Sequence, residues 1–304
     1  MTEPGPITII GAHSSALFMH VTSVPKEGET VLGWGYEEPD DGGKATNQAV
    51  AAARLGGPVV AVTVLGNDAR GLRARASLEQ AGVDTRWVIE ADGPSDIGFV
   101  MLPPSKIPAI TSLQERSRDL DERVVEAAAD LIRSSYCVVC QLEAPRPTAI
   151  RAFRIARHAG VRTVLNPTPA DNVGRTLLSL TDVLVANEHE AATLAGHNVS
   201  PERATREVSR RWPEMDIVVT AGRAGAWVAS RGRADIEHIA APTVEKVVDT
   251  TGAGDAFLGA LVVRLREGDE LARAASFAVR AASVSVARAG TIPAFATLGD
   301  LDLP

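Results

Sequence analysis

Val248-Asp249-Thr250-Thr251-Gly252-Ala253-Gly254-Asp255-Ala256-Phe257, followed by a helix-forming run to about Arg266, carries the strongest local signal in the chain. Small residues at 252–254 let backbone N–H groups crowd together, and the helix that follows adds the positive end of its dipole. Such a turn can hold a phosphate oxygen or another developing anion. Asp255, in the first helical turn, stands where it can take a proton from a hydroxyl. An isolated Gly-x-Gly-Asp would read as a tight turn and a capped helix. The two further acceptors ahead of it, Asp249 and Thr251, tip the reading toward an anion site. The spacing is neither that of the G-x-x-x-x-G-K-[ST] phosphate loop nor that of the G-x-G-x-x-G dinucleotide turn.

Outward from this turn, short apolar runs rich in β-branched residues recur at Ile7–Ile10, Val59–Leu65, Cys137–Leu142, Thr163–Leu165, Val183–Val185 and Ile217–Thr220. Nearly continuous apolar runs suit parallel strands buried on both faces. Alanine-rich helical segments lie between them: Lys44–Leu55, Gly71–Gln80, Leu120–Arg133, Thr148–His158 and Pro201–Arg211, most with glycine just beyond as a C-cap. A further helix is expected over Leu271–Ala287. The alternation predicts an α/β doubly wound, mostly parallel sheet with helices on both faces. Two stretches, about 12–41 and 86–117, lack helical periodicity and are expected to form a small β-sheet lid. Within the second, Trp87–Glu90 and Ile97–Leu102 flank Ala91-Asp92-Gly93-Pro94 as a hairpin would. With no linker or repeat in sight, 1–304 reads as one domain with a lid.

The 304 residues are 45% hydrophobic and carry a net charge of −7. That balance argues against a general binder of nucleic acid or anionic membranes. No apolar stretch approaches the ~20 residues that span a bilayer, and Met1–Pro6 lacks the basic and apolar regions of a signal peptide. A soluble cytoplasmic protein is expected. The two cysteines, Cys137 and Cys140, lie three apart in a strand and so point to opposite faces, which favours core packing over redox chemistry.

A second glycine turn, Asp41-Gly42-Gly43-Lys44-Ala45-Thr46-Asn47-Gln48-Ala49, opens a helix near the other end of the chain. Its glycines would let a ligand approach the backbone, and Asn47 supplies both donor and acceptor. Taken alone it reads as a helix start with Lys44 and Gln48 in solvent. Asp40 and Asp41 ahead of it would repel an anionic acceptor.

Together the two turns resemble the ribokinase family, the phosphofructokinase B (PfkB) type of ATP-dependent carbohydrate kinases, over nearly the whole chain. The resemblance implies a ribokinase-like domain with a β-sheet lid that serves as a homodimer interface. It implies Asp255 as catalytic base and Gly252, Ala253 and Gly254 as the anion hole for the transferring phosphoryl group. Asn187-Glu188-His189-Glu190 is similar to the family's N-x-x-E motif, placing Asn187 at the nucleotide phosphates and Glu190 at Mg²⁺, largely through water. Thr220 and the turn from Gly222 to Gly225 resemble the strand end that receives ATP. Asp249 and Thr251, with carbonyls near Arg288 and Gly290, match a potassium loop. On the sugar side stand Gly43, Asn47 and Glu143.

Strand one departs from the pattern. Where ribokinases proper carry Asn-x-Asp, this chain has Ser14 and Ala16, and alanine cannot grip two sugar hydroxyls. The expected acceptor is therefore a small sugar or polyol other than ribose, with His13 or Ser14 as substitute contacts. A nucleoside kinase or a non-catalytic sugar- or nucleotide-binding regulator of the same fold are the alternatives.

Overall fold

The computed structural model describes residues 4–39, 42–105 and 109–301. Asp40 and Asp41 lie outside the described residues. Thirteen strands are present among those described: β1 Ile7–Ile10, β2 Ser15–Val21, β3 Gly33–Glu37, β4 Val59–Gly66, β5 Asp84–Ala91, β6 Ile97–Leu102, β7 Ala109–Leu113, β8 Cys137–Gln141, β9 Arg162–Asn166, β10 Val183–Asn187, β11 Asp216–Thr220, β12 Ala226–Ala229 and β13 Glu237–Ile239. Nine of them form one sheet in the order β13-β12-β11-β10-β9-β8-β1-β4-β5. It is parallel from β11 through to β5, and β12 and β13 extend it antiparallel at one edge.

The β-branched runs become the central strands because their alternate residues feed two cores. Ile7, Ile9, Val59, Ala61, Cys137 and Val139 face one core; Ile10, Val62, Val64, Val138 and Cys140 face the other. The two cysteine thiols thus sit on opposite faces, both buried and unbridged. Burial pushes the Cys137 thiol up to about 12. The first core is closed by the helices Lys44–Arg54, Ala253–Arg266 and Leu271–Ser285, the second by Arg146–His158, Glu188–Ala195 and Pro201–Arg211. The expected helix over Leu120–Arg133 starts later and breaks once. Asp121 caps its first turn by accepting from the N–H groups of Arg123 and Val124, and Ala128 separates Glu122–Ala127 from Ala129–Ser134.

Four strands make the separate small sheet, in the order β3-β2-β6-β7. The hairpin expected around Ala91–Pro94 does not form. β5 pairs parallel with β4 at the edge of the large sheet, and β6 pairs parallel with β2 in the small one. The Asp-Gly turn is instead a passage between sheets. It is pinned there by Asp68, whose carboxylate accepts from the Ser95 hydroxyl at 2.7 Å and the Ser95 N–H at 3.1 Å. The lid is therefore shorter than 86–117, beginning at Ile97. Asp96, 1% exposed, ties the passages together. Its carbonyl accepts from Ser15 N–H, and its carboxylate accepts from the N–H groups of Glu115, Arg116 and Ser117.

Candidate active site

Asn47 and Asp255 are 208 residues apart in sequence, yet the Asn47 side-chain N–H₂ donates to Asp255 Oδ2 at 3.1 Å. Small residues make that meeting possible. The helices Lys44–Arg54 and Ala253–Arg266 cross where Gly259 approaches Ala51 so closely that an added Cβ would lie 2.8 Å from the Ala51 methyl. Asn47 and Asp255 each lie four residues earlier, one turn along the same helix faces. Asp255 is only 6% exposed, and its Oδ1 accepts from Gln48 Nε2 at 2.9 Å. Gly254 lies in the first turn, where the helix itself offers no carbonyl to an N–H. A Cβ there would meet nothing within 4 Å. A helix N-terminus with an open position beside a held carboxylate suits charge developing on an oxyanion.

The Gly42-Gly43 turn is built differently. A Cβ on Gly42 would lie 1.9 Å from the Ser14 carbonyl oxygen, and one on Gly43 would lie 2.6 Å from His13 Cα. The room expected for a ligand beside these glycines is thus filled by the chain's own 12–14 segment. His13 is 3% exposed, with Nδ1 3.0 Å from Thr46 Oγ1 and Nε2 3.3 Å from Ser15 Oγ. Both ring nitrogens are occupied, so the ring belongs to the wall. Burial lowers its pKa to about 4, with the carboxylates of Asp96 and Asp68 opposing. The Ser14 hydroxyl makes no hydrogen bond among the described residues. Ala16 pairs with Gly98 in the small sheet.

Lys44 and Gln48 are not solvated. Lys44 is half-buried, and its backbone N–H donates to Glu143 Oε2 at 2.9 Å. The Asp255 carboxylate, helped by Glu143 and Glu190, holds the Lys44 ammonium above its ordinary range against the effect of burial. Burial in turn pushes the Glu143 carboxyl up, opposed by Lys44. Gln48 is fully buried. The signal for both residues was in the alanines around them. A helix reading Ala49–Ala53 is packed on most sides, so a glutamine within it needs a partner.

On the side expected to receive the nucleotide, Asn187 is the N-cap of Glu188–Ala195. Its Oδ1 accepts from Glu190 N–H at 2.9 Å, while Glu190 Oε2 accepts from Asn187 N–H at 2.9 Å. The other Glu190 oxygen accepts from Thr168. A magnesium ion that keeps its waters suits a carboxylate engaged in this way. No group of three His, Cys, Asp or Glu converges as a metal site among the described residues. Thr220 ends β11, and Gly222–Ala224 forms a single 3₁₀ turn. Gly225 is required by packing, since a Cβ there would strike the Ile239 carbonyl oxygen at 2.0 Å. Asp249 accepts from Thr251 N–H at 2.9 Å and Gly290 N–H at 3.2 Å, so it joins the two segments expected to hold potassium.

Residues 20–298 match the model of the pfkB family carbohydrate kinases. The chain belongs to that family. It is 33% identical over 291 residues to a ribokinase of Haemophilus influenzae, covering 93% of both chains. It is likewise 33% identical over 289 residues to a ribokinase of Staphylococcus aureus, covering 93% of this chain and 94% of the other. Among solved structures it superposes on an Arabidopsis thaliana ribokinase complexed with ribose and ATP, with a TM-score of 0.90, 27% identity, and 99% and 100% of the two chains covered. The chain is thus an ATP-dependent sugar kinase of the ribokinase family. Relatives bearing the name ribokinase lend no support to excluding ribose on the ground of Ala16. No helix of the described residues is long and apolar enough to cross a membrane.

Proposed function

We propose that this kinase transfers the γ-phosphoryl group of ATP to a primary hydroxyl of a small sugar or polyol, with Asp255 as the base. The observation that carries the reading is the Asn47–Asp255 contact. Asn47 donates to the carboxylate, and its own Oδ1, buried, has no partner among the described residues. A buried acceptor without a donor is costly, and an acceptor hydroxyl beside Asp255 would supply one. Asp255 takes the hydroxyl proton as the oxygen bonds to phosphorus, while the bond to the β-γ bridging oxygen breaks and ADP leaves. The N–H groups of the Gly252–Gly254 turn and the Lys44 ammonium face the charge that develops.

Asn187, Thr220 and Gly222 lie at strand ends on the nucleotide side, where open α/β sheets bind ligands. Glu190 would orient the waters of a magnesium ion, whose chemistry is to neutralise triphosphate charge. Asp249, Thr251 and Gly290 would hold a potassium ion that fixes the anion turn. Ser14, with its free hydroxyl, replaces His13 as the strand-one contact to the sugar. With alanine at 16, ribose is expected to be held weakly, as a raised KM.

The test is ADP release with Mg·ATP, with and without potassium, across pentoses, hexoses, polyols and nucleosides, D-ribose first. Turnover with a sugar or polyol, lowered by roughly 10²–10⁴-fold in Asp255→Asn, is the expected result. Turnover retained in that variant removes the base assignment, and turnover confined to nucleosides replaces the acceptor class.

A further inference from the structure

Gln48 is held more completely than its neighbour Asn47. Its Nε2 donates to Asp255 Oδ1 at 2.9 Å and to Asn166 Oδ1 at 3.2 Å, while its Oε1 accepts from Gln141 Nε2. Asn166 is turned the right way for this, because its own Nδ2 donates to the Val185 carbonyl at 2.9 Å. Two acceptors therefore face Gln48 Nε2, so the amide has one orientation. Gln141 must present its N–H₂ to the remaining Oε1, which leaves Gln141 Oε1 buried without a partner among the described residues. Gly11 makes space for that oxygen, since a Cβ at position 11 would stand 1.9 Å from it. Three side chains from the ends of β8 and β9 and from the helix Lys44–Arg54 thus converge behind one carboxylate.

We propose that Gln48 is the positioning residue of Asp255. Gln141 and Asn166 fix its amide, and the amide fixes Oδ1 while Asn47 fixes Oδ2. A carboxylate gripped on both oxygens cannot swing about its last torsion, so its proton-accepting lone pair keeps one direction. An amide suits the role because it donates without titrating. The inference rests on the reading of Asp255 as base.

The experiment follows kcat and the KM for ATP against pH with the panel acceptor of highest turnover, D-ribose in the first instance. It uses Gln48→Glu, Gln48→Met and, as control, Asp255→Asn. Gln48→Glu sets a second carboxyl at hydrogen-bond distance from Asp255, so the pair shares a proton and ionises at higher pH. The acid limb of kcat is expected to move up by at least one pH unit, a shift that a merely structural role would not produce. Gln48→Met is expected to lower kcat at least tenfold with the KM for ATP within twofold of the parent. Parent-like kcat and acid limb in both variants, with Asp255→Asn inactive, overturn the inference alone. An active Asp255→Asn removes the base reading and the inference with it. If Gln48→Glu does not fold, Gln141→Met decides. It leaves Gln48 in place without its fixing donor, and a parent-like kcat there overturns the proposal while an at least threefold loss supports it.

Discussion

A methyl group placed on Gly43 would lie 2.6 Å from His13 Cα and from Ser14 N, and Gly43 has φ +71°. A methyl group placed on Gly254 would meet nothing within 4 Å, and Gly254 has an ordinary helical backbone. The two turns open helices that meet at the same carboxylate, and in sequence both are glycine-rich starts. One is glycine-rich because two passages of chain cross there; at the other the chain itself leaves the room open, where the proposed function places the transferring group. Gly252 combines the two demands, with φ +74° and only 2.3 Å between an added methyl and Thr291 Cγ2. Glycine by itself therefore does not mark a ligand site; what fills the missing side chain's place does.

The sharpest way to break this comparison is Gly43→Ala. A left-handed backbone with a side chain and a contact against backbone atoms should together cost about 2–4 kcal/mol. Equal unfolding midpoints in urea for this variant and the parent would show that the crossing has slack.

A smaller effect tests the same crossing through pH. Burial holds His13 near 4, below the ordinary value of 6.5, so the folded state binds fewer protons than the unfolded chain between those values. Stability from the neutral ring is then present in full above pH 6.5 and falls as pH drops toward 4, by up to roughly 3 kcal/mol. Urea unfolding at about pH 7 and about pH 4.5 should show the drop, and His13→Gln should flatten it; an equally steep drop in that variant would assign the dependence elsewhere.

Gly254→Ala is the mildest change for the fold. It should leave the unfolding free energy within about 1 kcal/mol of the parent, yet cost roughly tenfold or more in kcat/KM, since the methyl group would enter the place proposed for the transferring group. Unchanged kcat/KM would mean that the open space at 254 serves no ligand.

What could be read without the fold followed from chemistry local to the chain. The six runs that became β1, β4, β8, β9, β10 and β11 were legible because nearly every residue in them is apolar and β-branched residues predominate. The Gly252–Asp255 turn was legible because glycine, aspartate and a following helix are neighbours in sequence. The Ala91–Pro94 hairpin failed for the complementary reason. A turn signal says that the chain bends, but the partner of each flanking strand is chosen by packing, and β5 and β6 found partners in different sheets. In sequence Gln48 reads as solvated because a glutamine in a helix ordinarily is, and the layer that buries it comes from residues 118 and 207 positions away.

By itself, then, the sequence determined the alternating α/β architecture, the two turns and the Asp255 carboxylate beside Gly252–Gly254, since these depend on side-chain size, backbone freedom and period. Only the tertiary structure decided which glycines leave space, that His13 is spent on Thr46 and Ser15, and that two buried amides grip Asp255. Those outcomes depend on distances between segments far apart in the chain. The distance from Asn47 to Asp255, for one, depends on how closely Gly259 lets one helix approach another, a quantity that no local stretch of residues contains.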